Sequence, residues 1–320
     1  MISIAMALYN STRYIEEQFD SIRNQTVPVD EVVMIDDCSK DDTTSFVKQY
    51  IEKHNLHNWK IFNHKENKGY IYTFTDALCK VSGDIIILCD HDDIWLPNKI
   101  EIIKSQFDAH SNILSLATSF IQIDSEGKTV EIKQKWNHGN NNLIRRRIMA
   151  GKLNKMTLRD VAIYNISPGC TCAIRSSLRD QLLSDNHEYL PHDWKLNILA
   201  AIQNGLYYLD IPTTKYRIYD RNTIGLGHVN AFIQRKNNVI KNWKEKKDAT
   251  SIIEEQLDSG DKVYIYYKNV ENVFELRKEF MLTCRSKYIF EALLKSVGMG
   301  KLYESILMDY ISAKRKIRND

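Results

Sequence analysis

The chain has 320 residues, 43% of them hydrophobic and 27% charged, an ordinary globular make-up that can bury a sizeable core in about two domains. That composition excludes a disordered chain, a collagen-like fibre and a disulfide-stapled miniprotein. Net charge is only +3, but residues 225–320 hold 18 Lys and Arg against 13 Asp and Glu, a net +5 that leaves −2 for residues 1–224. A near-neutral front half without a basic-aromatic stripe argues against nucleic acid as a partner. The basic tail admits an anionic partner such as a membrane surface, or simply a solvated helical face.

Taken in chain order, the first hundred residues alternate strand-like runs with helix-like stretches. Ile2 to Leu8 reads as a buried strand, followed by a Ser11-Thr12 cap and a helix through Tyr14, Ile15, Gln18, Phe19 and Ile22. Val32 to Ile35 is the second strand. The turn and cap residues Asp36-Asp37-Cys38-Ser39 then lead to a helix through Phe46, Tyr50 and Ile51. Trp59 to Phe62 is the third strand, Asn67-Lys68-Gly69 a turn, and Ile71 to Val81 a helix. Gly83-Asp84 ends that helix before a fourth strand, Ile85 to Leu88. The alternation predicts βαβ units and a mainly parallel, Rossmann-like sheet with helices on its faces, an α/β fold.

The middle is less regular. Strands are expected over Leu114 to Ile123 and Gly205 to Ile211, and a helix over His192 to Ala201. A Pro-Gly-Cys turn is expected inside the strand-like stretch Ile166 to Ile174, and a mobile loop or lid over His138 to Asn142, leading into Arg145-Arg146-Arg147. From about residue 228 the chain turns helical. Its stretch Arg235 to Lys247 carries six basic residues against Glu245 around Trp243, a pattern for a helix on a membrane surface or an amphipathic helix docked on the front domain. No apolar run reaches the roughly 18 residues of a membrane span, and the first one leads directly into patterned sequence, so no signal peptide is expected and the location is predicted as cytoplasmic. The six cysteines form no CxxC pair and are expected as reduced, mostly buried thiols. The Asn-x-Ser/Thr triplets at Asn10, Asn24 and Asn165 then carry no glycan.

In an open parallel sheet, ligands bind beyond the carboxyl ends of the strands. The polar clusters fall there: Tyr9-Asn10 after the first strand, Asp36-Asp37 after the second, and Asp90-His91-Asp92-Asp93 after the fourth. Three carboxylates in four positions repel one another unless a cation or several donors neutralise them. Oxygen ligands of this kind suit Mg²⁺ or Mn²⁺ shared with a phosphate. Asp193, at a predicted helix start, reads on its own as an N-cap.

The run Ile2 to Asn10, with Tyr14-Ile15, Ser21-Ile22, Gln25-Thr26 and Glu31 to Ser39, resembles the start of glycosyltransferase family 2. Asp90 to Ile100 is similar to the DxD segment of its rhamnosyltransferase-like members, and His192-Asp193-Trp194 to their catalytic-base motif. Tyr216-Arg217 and Asn222-Thr223-Ile224-Gly225 resemble the stretch that closes their active site. The resemblance covers about residues 1–225. It implies a GT-A catalytic domain over 1–225, with a nucleotide-sugar half at 1–100 and an acceptor half at 101–225. A helical region at 226–320 would face a membrane or a second copy, as in a homodimer.

By the same resemblance, Ala7, Tyr9, Asp36 and Asp37 would hold the pyrimidine and ribose of a UDP- or dTDP-sugar, and Lys68 and Arg217 its phosphates. Asp90 would contact the ribose and, with Asp92, the Mn²⁺ or Mg²⁺, while Asp93 supports them. Asp193 would be the general base of an inverting transfer to a saccharide or lipid-linked acceptor in surface polysaccharide synthesis. Gly169, Cys170, His192 and Trp194 would line the acceptor, with His192 orienting Asp193. Rhamnose or a hexose is the implied sugar. Two departures stand out: Tyr219 occupies a position where many relatives have His, and Thr73 one where they often have Asn. A sugar nucleotidyltransferase would show a Gly-rich phosphate loop where this chain has Tyr9-Asn10-Ser11-Thr12. A non-catalytic nucleotide-sugar binder remains the alternative from a different class.

Overall fold

The computed structural model describes residues 1–219, 231–297, 299 and 301–319. The chain forms two compact units, Met1–Asn186 with His192–Tyr219, and His187–Pro191 with Asp220–Asp320.

The first unit opens β1 (Ile2–Leu8), α1 (Ile15–Arg23), β2 (Glu31–Asp36), α2 (Thr43–Lys53), β3 (Trp59–Asn63), α3 (Tyr70–Lys80) and β4 (Ile85–Cys89). β2 and β4 are buried at every position, as strands covered by helices on both faces must be. In α1 the buried residues Ile15, Gln18, Phe19 and Ile22 fall at helical spacing, and Phe19 packs edge-on against Trp59 at 5.1 Å. The expected Ser11-Thr12 cap is not formed. Tyr14 stands at the N-cap without a side-chain bond, because Ser11 Oγ instead accepts the Tyr9 N–H at 3.1 Å and Thr12 bonds Asp41.

There follow β5 (Ile94–Trp95), α4 (Lys99–Ala109), β6 (Ser115–Ile123), β7 (Leu153–Lys155), α5 (Leu158–Val161), β8 (Cys172–Arg175), α6 (Ser176–Ser184), α7 (His192–Ile202) and β9 (Leu206–Arg217). One sheet runs β3-β2-β1-β4-β8-β6-β9-β5, with β7 beside β9. Strands β1 to β4 are parallel and β8 is antiparallel to both its neighbours. β9 runs to Arg217, beyond its expected end at Ile211, because it follows β6 across a bulge at Ser119. Residues Ile166 to Ile174 divide into a 3₁₀ turn, Gly169–Thr171, and β8.

The Asn-rich stretch expected as a mobile lid is a built turn. Asn140, Asn141 and Asn142 take left-handed backbone angles, which asparagine tolerates well. Asn140 donates to the Ile166 carbonyl at 2.7 Å and Asn141 to that of Phe120 at 2.9 Å.

The second unit contains α8 (Ala231–Glu254), α9 (Lys262–Thr283), α10 (Ser286–Lys295) and α11 (Lys301–Asn319). Asp309 is buried between Arg235 and Arg277, with nitrogens at 2.6 and 2.7 Å, and so joins α8, α9 and α11. Much of the basic stretch 235–247 therefore faces other helices. Lys246 is buried against the Phe274 ring, and Lys278 lies 3.7 Å over the Trp243 ring. No helix among the described residues is long and apolar enough to cross a membrane. All six cysteines are free, with Cys89, Cys170 and Cys172 buried, Cys38 and Cys284 half-buried and Cys79 exposed.

Candidate active site

Register places the polar clusters together. Leu8 lies opposite Asp36 and Met6 opposite Cys89, so the chain leaves β1, β2 and β4 along a single edge, at Tyr9, Asp37 and Asp90.

On the β1–β2 side, Tyr9 is exposed and Ala7 half-buried, and His91 Nδ1 lies 3.4 Å from the Ala7 carbonyl oxygen. Asp36 turns its carboxylate back to the Ser39 N–H and hydroxyl. Asp37 is buried and filled with protein donors: the Lys68 and Gly69 N–H groups, each at 2.8 Å, and His64 Nδ1 at 2.8 Å. Burial alone would raise its pKa, but these bonds outweigh it and hold the carboxyl below the usual range. Asp37 thereby anchors the loop that starts α3, where Gly69 takes φ +84, a conformation open to glycine. Lys68 Nζ stands 3.7 Å from Asp76 at the surface.

On the β4 side, donor atoms of Asp90, Asp93 and Cys170 all lie within 4.8 Å of one another. Burial, then the charges of Asp93, Asp92 and Asp193, push Asp90 well above the normal carboxylate range. Burial and Asp92 raise Asp93 to about 7, against the opposing pull of the Cys170 thiol and the Arg217 N–H. Asp93 Oδ1 accepts that N–H at 2.9 Å, whereas no N–H or O–H donor among the described residues reaches its buried Oδ2. Asp92 Oδ2 accepts the Tyr219 hydroxyl at 2.7 Å, and the Tyr219 ring leans on Tyr14 at 5.2 Å. Tyr219 thus reaches the tetrad directly.

Arg217 is 1% exposed. Its guanidinium donates to the carbonyls of Asp92, Asp124 and Ser125 and to Glu17, and lies 4.3 Å over the Tyr14 ring. Expected as a phosphate partner, it is instead wrapped around the acidic loop. Beneath that loop lies Lys99, which sequence reasoning did not single out. It is wholly buried, donates to the Cys170 carbonyl at 2.6 Å and to Thr214 Oγ1 at 2.8 Å, and stands 4.1 Å over the Trp95 ring.

The remaining wall comes from α7 and the Pro168–Cys170 turn. Asp193 accepts the Asn165 side-chain N–H at 2.9 Å, and a Cβ on Gly169 would come within 3.3 Å of the Asp193 side chain. Gly169 therefore allows the turn to lie flat against the carboxylate. Cys170 is buried, and burial with the neighbouring carboxylates holds its thiol protonated. Trp194 fixes α7 by donating to the Val161 carbonyl at 2.6 Å. His192 turns the opposite way. It stacks on Phe74 at 4.1 Å, its two ring nitrogens lack partners among the described residues, and burial lowers its pKa to about 3. Those contacts make it a packing residue and not an orienting one. Asn222-Thr223-Ile224-Gly225 lie outside the described residues.

The sheet and its flanking helices define a GT-A fold, the architecture of the solved glycosyltransferases that the chain resembles. Among these, TarS 1–349 of S. aureus in complex with UDP-GlcNAc superposes with a TM-score of 0.58 at 19% identity, over 98% of this chain and 81% of that one. The mannosyltransferase PcManGT of Pyrobaculum calidifontis, in complex with GDP-Man and Mn²⁺, does so with 0.58 at 17%, over 98% and 86%. The family model for glycosyl transferase family 2 matches residues 3–180, and the chain belongs to that family.

Among curated relatives, a Bacillus subtilis (strain 168) protein provisionally named glycosyltransferase EpsE is 29% identical over 126 residues, 39% of this chain and 45% of its own. TuaG of the same strain, provisionally named a teichuronic acid biosynthesis glycosyltransferase, is 32% identical over 103 residues, 32% of this chain and 39% of its own. The chain spans less than half the length of these relatives.

Proposed function

We propose that the chain is an inverting, metal-dependent glycosyltransferase. It moves rhamnose or a hexose from a UDP- or dTDP-sugar to a saccharide or lipid-linked acceptor in surface polysaccharide synthesis, working at the cytoplasmic face of the membrane. One observation carries this reading: at the end of β4 the carboxylates of Asp90 and Asp93 lie with the Cys170 thiol within 4.8 Å of one another, and the charges of Asp92 and of Asp193 from α7 bear on Asp90 as well.

That space fits a divalent cation. Asp93 is buried and Asp90 and Asp92 half-buried, the charges of Asp92 and Asp93 oppose ionisation of Asp90, and no N–H or O–H donor among the described residues reaches Asp93 Oδ2. Asp90, Asp92 and Asp93 would hold Mn²⁺ or Mg²⁺, while the protonated Cys170 is a poor ligand for so hard an ion. When bound, the cation supplies charge that offsets the leaving diphosphate.

This chain's own residues do the rest. Residues 1–100 form the nucleotide half, with Tyr9 and the Asp37-anchored loop beside the base and ribose, and Lys68 on the rim. Residues 101–225 form the acceptor half, where Asp193 takes the proton from the attacking hydroxyl as the new bond forms, with Gly169 beside it. A base of this kind is typically worth about 10² to 10⁴ in rate. A single displacement inverts the anomeric centre.

Two measurements test the reading. Thermal stabilisation by UDP, dTDP, GDP and CMP, each with and without Mn²⁺, should show a metal-enhanced shift with UDP or dTDP. Asp193→Asn should abolish sugar transfer while leaving that shift intact. No shift with any nucleotide would overturn the donor site, and substantial transfer by the variant would remove Asp193 as the base.

A further inference from the structure

We infer that Asn165 is a positioning residue for Asp193, the link next to the carboxylate in a hydrogen-bonded chain that ties it to the centre of the sheet. The inference rests on the reading of Asp193 as the base. Asn165 precedes the Pro168–Cys170 turn, and its amide orientation is settled by its neighbours. One end accepts the Ile166 backbone N–H at 2.9 Å and the Asn197 side-chain N–H at 2.8 Å. A group that accepts two N–H donors is the carbonyl oxygen, so the end facing Asp193 Oδ2 at 2.9 Å is the amide nitrogen.

Asn197 must then present its nitrogen to the Asn165 oxygen, which leaves its own oxygen to accept the Ser115 hydroxyl at 2.8 Å. Ser115 and Asn197 are fully buried. Ser115 lies on β6 between β8 and β9, opposite Ile174 and Leu206, where the backbone has least freedom. Asp193 and Asn197 are four residues apart on α7 and so share a helix face. Asn165 bridges the two and fixes the carboxylate's rotation.

The bond also acts on charge. Asp193 is among the groups whose negative charge raises Asp90, and repulsion between two charges is mutual. A donated N–H favours the ionised carboxylate, so the Asn165 bond supports the charged form that a base needs.

Asn165→Asp is the discriminating variant. It keeps an oxygen for Ile166 and Asn197 and puts a second carboxylate oxygen, which repels, in place of the donor that faces Asp193. Asn165→Ser removes the same donor in a smaller side chain, should the first variant fold poorly. Either should lower kcat at pH 7 by about 10- to 100-fold, with the donor KM within about twofold. The acid limb of the pH–rate profile should move upward, so that activity recovers toward pH 9, and the nucleotide-induced thermal shift should persist. Unchanged kcat and pH profile would overturn the inference, as would a loss equal at every pH accompanied by a raised donor KM. Asp193→Asn is measured alongside: if it retains transfer, the reading of Asp193 has failed. If it abolishes transfer while the Asn165 variants behave as wild type, only the role of Asn165 has failed.

Discussion

Arg217→Lys separates the two roles open to that residue. The guanidinium donates to the Asp92 carbonyl at 2.8 Å, to the Ser125 carbonyl at 3.2 Å and to Glu17, with Asp124 at 3.4 Å and the Tyr14 ring beneath. A lysine keeps the charge, but its single ammonium cannot reach acceptors arranged around a planar fork. Glu17 is 57% exposed, so its pairing is screened and adds little. The loss falls on the part-buried bonds to the Asp92 and Ser125 carbonyls, where each unsatisfied acceptor costs about 1–3 kcal/mol. Two such losses amount to about 2–6 kcal/mol, a drop in melting temperature of about 4–24 °C for a unit of this size. Thermal unfolding without nucleotide reads the effect directly, and UDP titration with Mn²⁺ reports the donor site. The expected result is a clear fall in melting temperature with nucleotide binding weakened only modestly at low temperature. An unchanged melting temperature with UDP affinity lost would refute the reasoning and return Arg217 to the phosphates.

His192 and Lys99 give two further tests. Native His192 stays neutral down to about pH 3, while in the unfolded chain it takes a proton near 6.5, so stability is lost as pH falls from 6.5 toward 3. The loss is about 2 kcal/mol at pH 5. His192→Phe, which keeps the stack on Phe74, should therefore flatten the acid side of a urea-stability profile; an equal loss between pH 7 and pH 5 in the variant would show that His192 does not cause it. Lys99→Met keeps the buried stem but strips the donor from Cys170 and Thr214. It should cost about 1–3 kcal/mol in urea unfolding, and wild-type stability would show that the ammonium holds nothing there.

The parts of this protein legible in the sequence are those whose cause is local. β1, β2 and β4 announce themselves as short apolar runs because parallel strands are buried on both faces. Asp36-Asp37 and Asp90 to Asp93 follow those runs directly, so chain order alone sets them on one edge. What escaped reading depends on partners far along the chain. Lys99 meets acceptors 71 and 115 residues away, Arg217 one 125 residues back, and Asn165 a carboxylate 28 residues on. Nothing in the local pattern marks Lys99 as buried or Asn165 as bonded to Asp193.

His192 shows the converse error. Adjacency to Asp193 suggested cooperation, yet successive residues on a helix point about 100° apart, so the imidazole meets Phe74 while the carboxylate meets Asn165. The same geometry sorts the acidic residues. Asp36 and Asp37 sit in a turn whose backbone N–H groups converge on them, and their carboxylates are satisfied by protein. Asp90 and Asp93 emerge from a strand whose N–H groups are already paired within the sheet, and they meet one another instead. A motif names the carboxylates, but only the supply of nearby donors decides which of them are held by the fold and which are left facing one another.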